Sequence, residues 1–133
     1  MYCSMFGMLQ AADMLGDAPF PPIDSIDARF GRLLEAAETP GSPASAIVEE
    51  AAVHLGRAIA NLLNVTDPRH VLISVLNADF LARIRDSVER TLREDTIPGV
   101  FQATNIQFIV TDPDWRRTGT AALALEQSYL SEQ

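Results

Sequence analysis

Apolar positions along the chain fall into seven runs, and the spacing within each run predicts an element. Breakers at 16–22 (GDAPFPP), 39–45 (TPGSPAS), Asp67-Pro68 and Asp112-Pro113 separate them. Met1, Met5, Met8 and Met14 with Phe6 give a short first helix an apolar face, which reads as core and not as a cofactor box. Ile26, Phe30, Leu33, Leu34 and Ala37 recur at helical spacing, with Asp24 or Ser25 available as the cap. The third helix is the longest. Its stripe is Ile47, Ala51, Leu55, Ile59, Leu62 and Leu63, Gly56 and Ala60 leave room for close backbone packing, and Ser42 or Ser45 caps it with Glu49 placed to help.

The period then changes. Residues 71–76 (VLISVL) lack polar alternation, as expected of a strand covered on both faces. Phe80, Leu81, Ile84, Val88 and Leu92 return to helical spacing, 106–110 (IQFIV) make a second strand, and an Ala- and Leu-rich helix over 118–130 closes the chain. The order α-α-α-β-α-β-α predicts a helix-rich α/β fold, three helices followed by a βαβα unit, in one domain spanning 1–133. A strand, a crossover helix and another strand imply a right-handed unit with two parallel strands. Two strands this apolar make an incomplete sheet, with edges left to cover.

Composition narrows the function classes. The 133 residues are 47% apolar and 21% charged, too apolar for a disordered tail. A net charge of -8, with ten basic residues that are all Arg and interleaved with acids, argues against direct nucleic-acid binding and against a polybasic membrane patch. No apolar run is long enough to span a bilayer. The single cysteine, Cys3, can form no internal disulfide and fits a reducing compartment. No basic residue precedes Arg29, so a signal-peptide n-region is missing, and a cytoplasmic location is expected.

Candidate chemistry is sparse. The chain has no Gly-rich phosphate loop, no Cys pair at metal spacing and no His-Glu-x-x-His. His54 reads as an interface or helix-surface residue, because no second ligand sits one helical turn away, and His70 stands at a strand start. Ser74 lacks the flanking glycines of a nucleophile elbow, having Ile73 and Val75 instead, and reads as strand core. Asp79, Asp86, Asp112 and Asp114 read as solvated caps and turn residues. Trp115 opens the last helix as a packing anchor or a partner contact.

The stretch LGRAIANLLNVTDPRHVLIS (55–74), followed by an amphipathic helix, a strand and DWRRTGTAALALEQ (114–127), resembles the C-terminal part of ROK proteins. That family of repressors, open reading frames and kinases pairs sugar kinases with sugar-responsive transcription repressors on an actin-like (ribonuclease H-like) two-lobed fold. Leu55, Gly56, Ile59, Ala60, Asn61, Leu62, Asn64, Asp67, Pro68 and Val71 fall in register with its pattern, as do Gly119, Ala121, Ala122 and Leu123. The similarity covers most of the chain and corresponds to about the last third of a family member.

The resemblance reaches the N-terminus in degenerate form. ROK proteins carry Cys-x-Cys-Gly-x-x-Gly-Cys-Leu-Glu, whose cysteines help bind zinc and whose Glu touches the sugar. Residues 1–10 keep Cys3, Gly7 and Leu9, while methionines replace thiolates and Gln10 stands for the Glu. A thioether cannot supply the anionic sulfur that zinc favours, so no metal is expected and Cys3 is vestigial. Ser74, Val75 and Leu76 occupy the family's nucleotide-approach glycines, where side chains obstruct the backbone's approach to adenosine. The phosphate-binding turns and the catalytic Asn-Asp pair have no counterpart in the chain.

The resemblance therefore implies a non-catalytic C-terminal domain without cofactor, a dimerisation or sugar-sensing scaffold of a repressor-like protein. Alternatives are a sugar-kinase fragment that needs missing upstream sequence, or a small-molecule module near Gln10. A homodimer is expected from the uncovered sheet and apolar helices, through the Gly56–Ala60 face with Met5 and Met8 at its margin. Packing of that face inside the same chain is the rival. A sugar or sugar phosphate is the candidate ligand.

Overall fold

The computed structural model describes residues 4–16 and 22–111. Their order is α1 (Met5–Ala11), α2 (Ile23–Ala36), α3 (Pro43–Thr66), β1 (His70–Val75), α4 (Ala78–Asp95), α5 (Pro98–Ala103) and β2 (Asn105–Val110). Cys3, Asp112, Asp114, Trp115 and the helix expected over 118–130 lie outside the described residues. The fold is helix-rich and mixed, with a two-stranded parallel sheet. β1 and β2 pair from His70↔Asn105 to Val75↔Val110, joined by α4 and the shorter α5.

Local chemistry sets the helix ends. Pro22, not Asp24 or Ser25, stands at the N-cap of α2 in extended conformation, and no side chain caps it. Proline's fixed φ suits the first turn and its missing N–H leaves nothing to satisfy there. Ser42 caps α3 by accepting from the Ser45 N–H at 3.0 Å, and Pro43 follows at the first helical turn. Glu49 does not assist this cap; it reaches across to α4. α3 ends at Asp67, whose left-handed conformation (φ 43°) stops the helix. Asn64 then fastens the far end of α4: its Nδ2 donates to the Asp95 carbonyl at 3.0 Å and its Oδ1 accepts from the Ile97 N–H at 2.8 Å.

The buried residues form one contiguous core drawn from α1, α2, α3, α4 and β1. Phe30 of α2 and Phe80 of α4 meet edge to face, with ring centroids 5.3 Å apart and planes at 67°. The largest interface joins α3 to α4. On α4 four of the five expected stripe residues, Phe80, Ile84, Val88 and Leu92, are buried, and Leu81 is half-buried. On α3 it rotates: Ala44, Val48, Ala51, Ala52, Gly56, Ala60 and Leu63 are buried, while Leu62 is 53% exposed. The smaller residues mark the buried side because they let the two backbones approach.

This overturns the expected dimer face. Ala60 is fully buried within the chain, and a Cβ at Gly56 would lie 2.7 Å from Thr91 Cβ of α4. Met8 is also in the core and Met5 is half-buried against it. Gly56, Ala60 and Met8 therefore serve internal packing and offer no free surface.

The sheet departs from expectation too. Val71, Ile73 and Val75 face the helices, whereas His70, Leu72 and Ser74 are exposed, Leu72 at 59%. β2 repeats the alternation from Asn105 to Phe108, with Ile106 and Phe108 half-buried and Asn105 and Gln107 exposed, and departs from it at its end, where Ile109 is half-buried and Val110 exposed. Helices cover one face only among the described residues, so β1 (His70–Val75) is a one-sided strand despite the apolar run expected over 71–76. α5 was not predicted. It spans six residues, too few for a period to register, and it is opened by Pro98 and closed at Thr104, whose hydroxyl donates to the Val100 or Pro68 carbonyl. Among the described residues no helix is long and apolar enough to cross a membrane.

Candidate functional site

In open α/β sheets, ligands bind in the crevice outside the carboxyl ends of parallel strands. Here β1 ends at Val75, and the Thr111 N–H donates to the Val75 carbonyl at 2.9 Å, holding the chain after β2 beside it. Asn77 begins α4, its Oδ1 accepting the Phe80 N–H at 2.8 Å. α1 brings in Met5 and Met8, and α2 brings in Phe30. With Val75, Leu76, Asn77 and Phe80 they wall a cavity of about 120 Å³.

Residues some seventy positions apart thus meet (Met5 and Met8 with Val75 and Leu76). The fold joins the N-terminal window and the strand-end residues into one place. Its chemistry is apolar. Among the described residues Asn77 is the only polar one in the wall, and its carbonyl oxygen is already engaged as the helix cap. The volume is below the roughly 300–1,000 Å³ of ordinary small-molecule sites. Such a space holds side chains or a small apolar group; it presents no ring of donors for a phosphoryl group.

The other sequence candidates are scattered. Ser74 is not strand core: parity turns it to the uncovered face, where its hydroxyl lies 2.9 Å from the Thr111 hydroxyl. Gln10 is exposed on α1 and is not in the cavity wall. His54 does have an acid one turn back: Nε2 lies 3.5 Å from Glu50 Oε1 on the outside of α3. His70 is exposed at the start of β1. Asp79 and Asp86 are exposed on α4, Asp79 in the first turn where a negative charge favours the helix dipole. No group of three His, Cys, Asp or Glu among the described residues is placed to hold a metal ion.

Phe30, Asn77 and Phe80 were missed as parts of this site. Asn77 carried a readable signal, an Asn directly before a helical run. The two phenylalanines did not, because each reads as ordinary core of its own helix.

No protein-family model matches the chain, and no curated protein matches it.

Proposed function

We propose that the chain is a non-catalytic, ROK-like C-terminal domain that acts in the cytoplasm as an association scaffold of a repressor-like protein. The observation that carries this reading is the small, apolar strand end. Val75 and Leu76 put side chains where the family needs glycine, and Met5, Met8 and Phe30 line the same small pocket. A kinase must surround a transferring phosphoryl group with donors and place a base at the attacked hydroxyl. An apolar pocket of about 120 Å³ does neither. No metal or nucleotide takes part in this reading, nor does direct contact with nucleic acid, which a net charge of -8 opposes.

The scaffold role is supported by the outer face of the sheet, in place of the buried Gly56–Ala60 face. His70, Leu72 and Ser74 of β1 lie beside Asn105, Gln107 and Ile109 of β2, and none is Asp, Glu, Lys or Arg. Two acidic copies repel least where neither presents a charge, and one self-complementary patch serves both subunits of a two-fold dimer.

A coupled phosphotransfer assay with ATP, magnesium and a panel of hexoses tests the non-catalytic claim. The expected result is no turnover above the protein-free rate. Turnover that scales with protein concentration and survives a second purification would overturn it, and would point to the kinase-fragment alternative.

A further inference from the structure

A cavity of about 270 Å³ opens between the last two turns of α4, the short α5 and β2. Its wall includes Glu89 and Arg93 of α4, Phe101 of α5, Thr104 at the end of α5, and Ile106 and Phe108 of β2. Each of these keeps solvent-accessible surface. We propose that this cavity binds a small aromatic monocarboxylate, a single ring system carrying one carboxylate. The site shares no residue with the strand-end cavity and does not use the uncovered sheet face. It is argued independently of the association proposed above, and either can fail without the other.

Charge selects the carboxylate. Glu89 is already matched, because Arg85 Nε lies 2.8 Å from its Oε1. Asp95, two residues beyond Arg93, is paired with Arg57 at 3.4 Å. Arg93 itself has no hydrogen bond or ion pair among the described residues. The wall therefore carries one guanidinium without a counter-charge, and its planar fork of donors suits the two oxygens of a carboxylate. An incoming cation would meet that guanidinium and no unmatched acid. The Thr104 hydroxyl spends its proton on the Val100 or Pro68 carbonyl, so the wall supplies donors for one carboxylate and not for two.

The apolar part of the wall selects the ring. Phe101, Ile106 and Phe108 are half-buried, and an aromatic ligand can stack on or meet edge-on either phenylalanine. Arg85 lies over the Phe108 ring, 5.4 Å from its centroid, and steadies it. The volume falls just short of the roughly 300–1,000 Å³ of ordinary small-molecule sites, which fits one ring system and excludes a nucleotide. Arg93 is exposed, so its ion pair alone is weak in water and the ring must supply much of the affinity.

Amide NMR of the full chain, titrated separately with benzoate, phenylacetate and indole-3-acetate, tests the site. Acetate lacks the ring and phenylacetamide lacks the charge, so these serve as controls. The expected result is saturable shifts with at least one of the three acids, centred on residues 89, 93, 101, 104, 106 and 108. Both controls and the Arg93→Gln variant are expected to bind about fivefold or more weakly. Arg93 is exposed, so the variant should keep the dispersed spectrum. Arg32→Gln, at an exposed arginine of α2 outside the wall, is expected to leave binding unchanged. No saturable shift with any of the three acids overturns the proposal. So does either control binding as tightly as phenylacetate, or an affinity that Arg93→Gln lowers no more than Arg32→Gln does.

Discussion

A methyl group added at residue 56 is expected to force α3 and α4 apart. The new Cβ of Gly56→Ala would stand 2.7 Å from Thr91 Cβ, 3.0 Å from Thr91 Cγ2 and 3.3 Å from the Val88 carbonyl oxygen. Optimal carbon–carbon contact is about 3.5–4.0 Å, and Thr91 Cβ is fixed to a helix backbone and cannot swing aside. Alanine gains about 1 kcal/mol in helix propensity over glycine. Overpacking costs about 1–3 kcal/mol for such an insertion, more when backbone must move. The net expectation for Gly56→Ala is a loss of about 1–2 kcal/mol in urea unfolding, and for Gly56→Val a loss beyond about 3 kcal/mol. Thr91→Gly should relieve the clash, so the Gly56→Ala, Thr91→Gly pair should show favourable coupling of about 1 kcal/mol or more in a double-mutant cycle. A Gly56→Ala protein more stable than wild type would place α4 further away than described.

Phe30→Ala is expected to have the largest effect of any single truncation. Phe30 is 1% exposed, packs edge to face on Phe80, and lines the strand-end cavity with Met8 and Val75. It therefore ties α2 to α4, within the core that α1 and β1 share. Removing a buried phenylalanine costs about 3–5 kcal/mol, a large part of the roughly 5–15 kcal/mol that stabilises a domain. Phe30→Leu should retain most of the volume and lose about 1–2 kcal/mol, including the aromatic contact. Because one core spans the N-terminal helices and the strand unit, both should unfold together in the wild type. Separate transitions for the two parts, or a loss below about 1 kcal/mol in Phe30→Ala, would show that they do not share a core.

The sequence made some of these features readable and hid others, for physical reasons. α4 was legible because its apolar stripe opposes Arg and acidic residues, so one face alone can be buried. On α3 the large apolar residues drew attention, yet the small ones face α4; Leu62 is out and Ala60 is in because close helix approach rewards small side chains. Residues 71–76 gave no parity, since Leu72 and Ile73 are equally apolar while only Ile73 is covered. The parallel pairing of the two strands was inferable from the intervening helix, but their uncovered outer face was not.

The candidate sites were harder still. Met5 and Val75 meet only because α1 folds over the strand end, and no local pattern announces that. The charge pairs that bridge the helices, Glu38 with Arg83 and Glu49 with Arg90, are 45 and 41 positions apart. In sequence each is one more charge on a solvated face. Burial of Ser87 between them, which gives the network its buried anchor, follows from the α3–α4 approach and from nothing near residue 87.

The central claim is that the chain associates with a second copy through the sheet face that the described helices leave uncovered. Sedimentation equilibrium at micromolar concentration, on the wild type and on Leu72→Lys, tests it most directly. Leu72 is 59% exposed, so the substitution should leave the fold intact while placing a charge in the middle of that face. The account predicts about twice the 14.5 kDa chain mass for the wild type and 14.5 kDa for a folded Leu72→Lys protein. A wild type that stays at 14.5 kDa, or a dimer that Leu72→Lys leaves undisturbed, would contradict it.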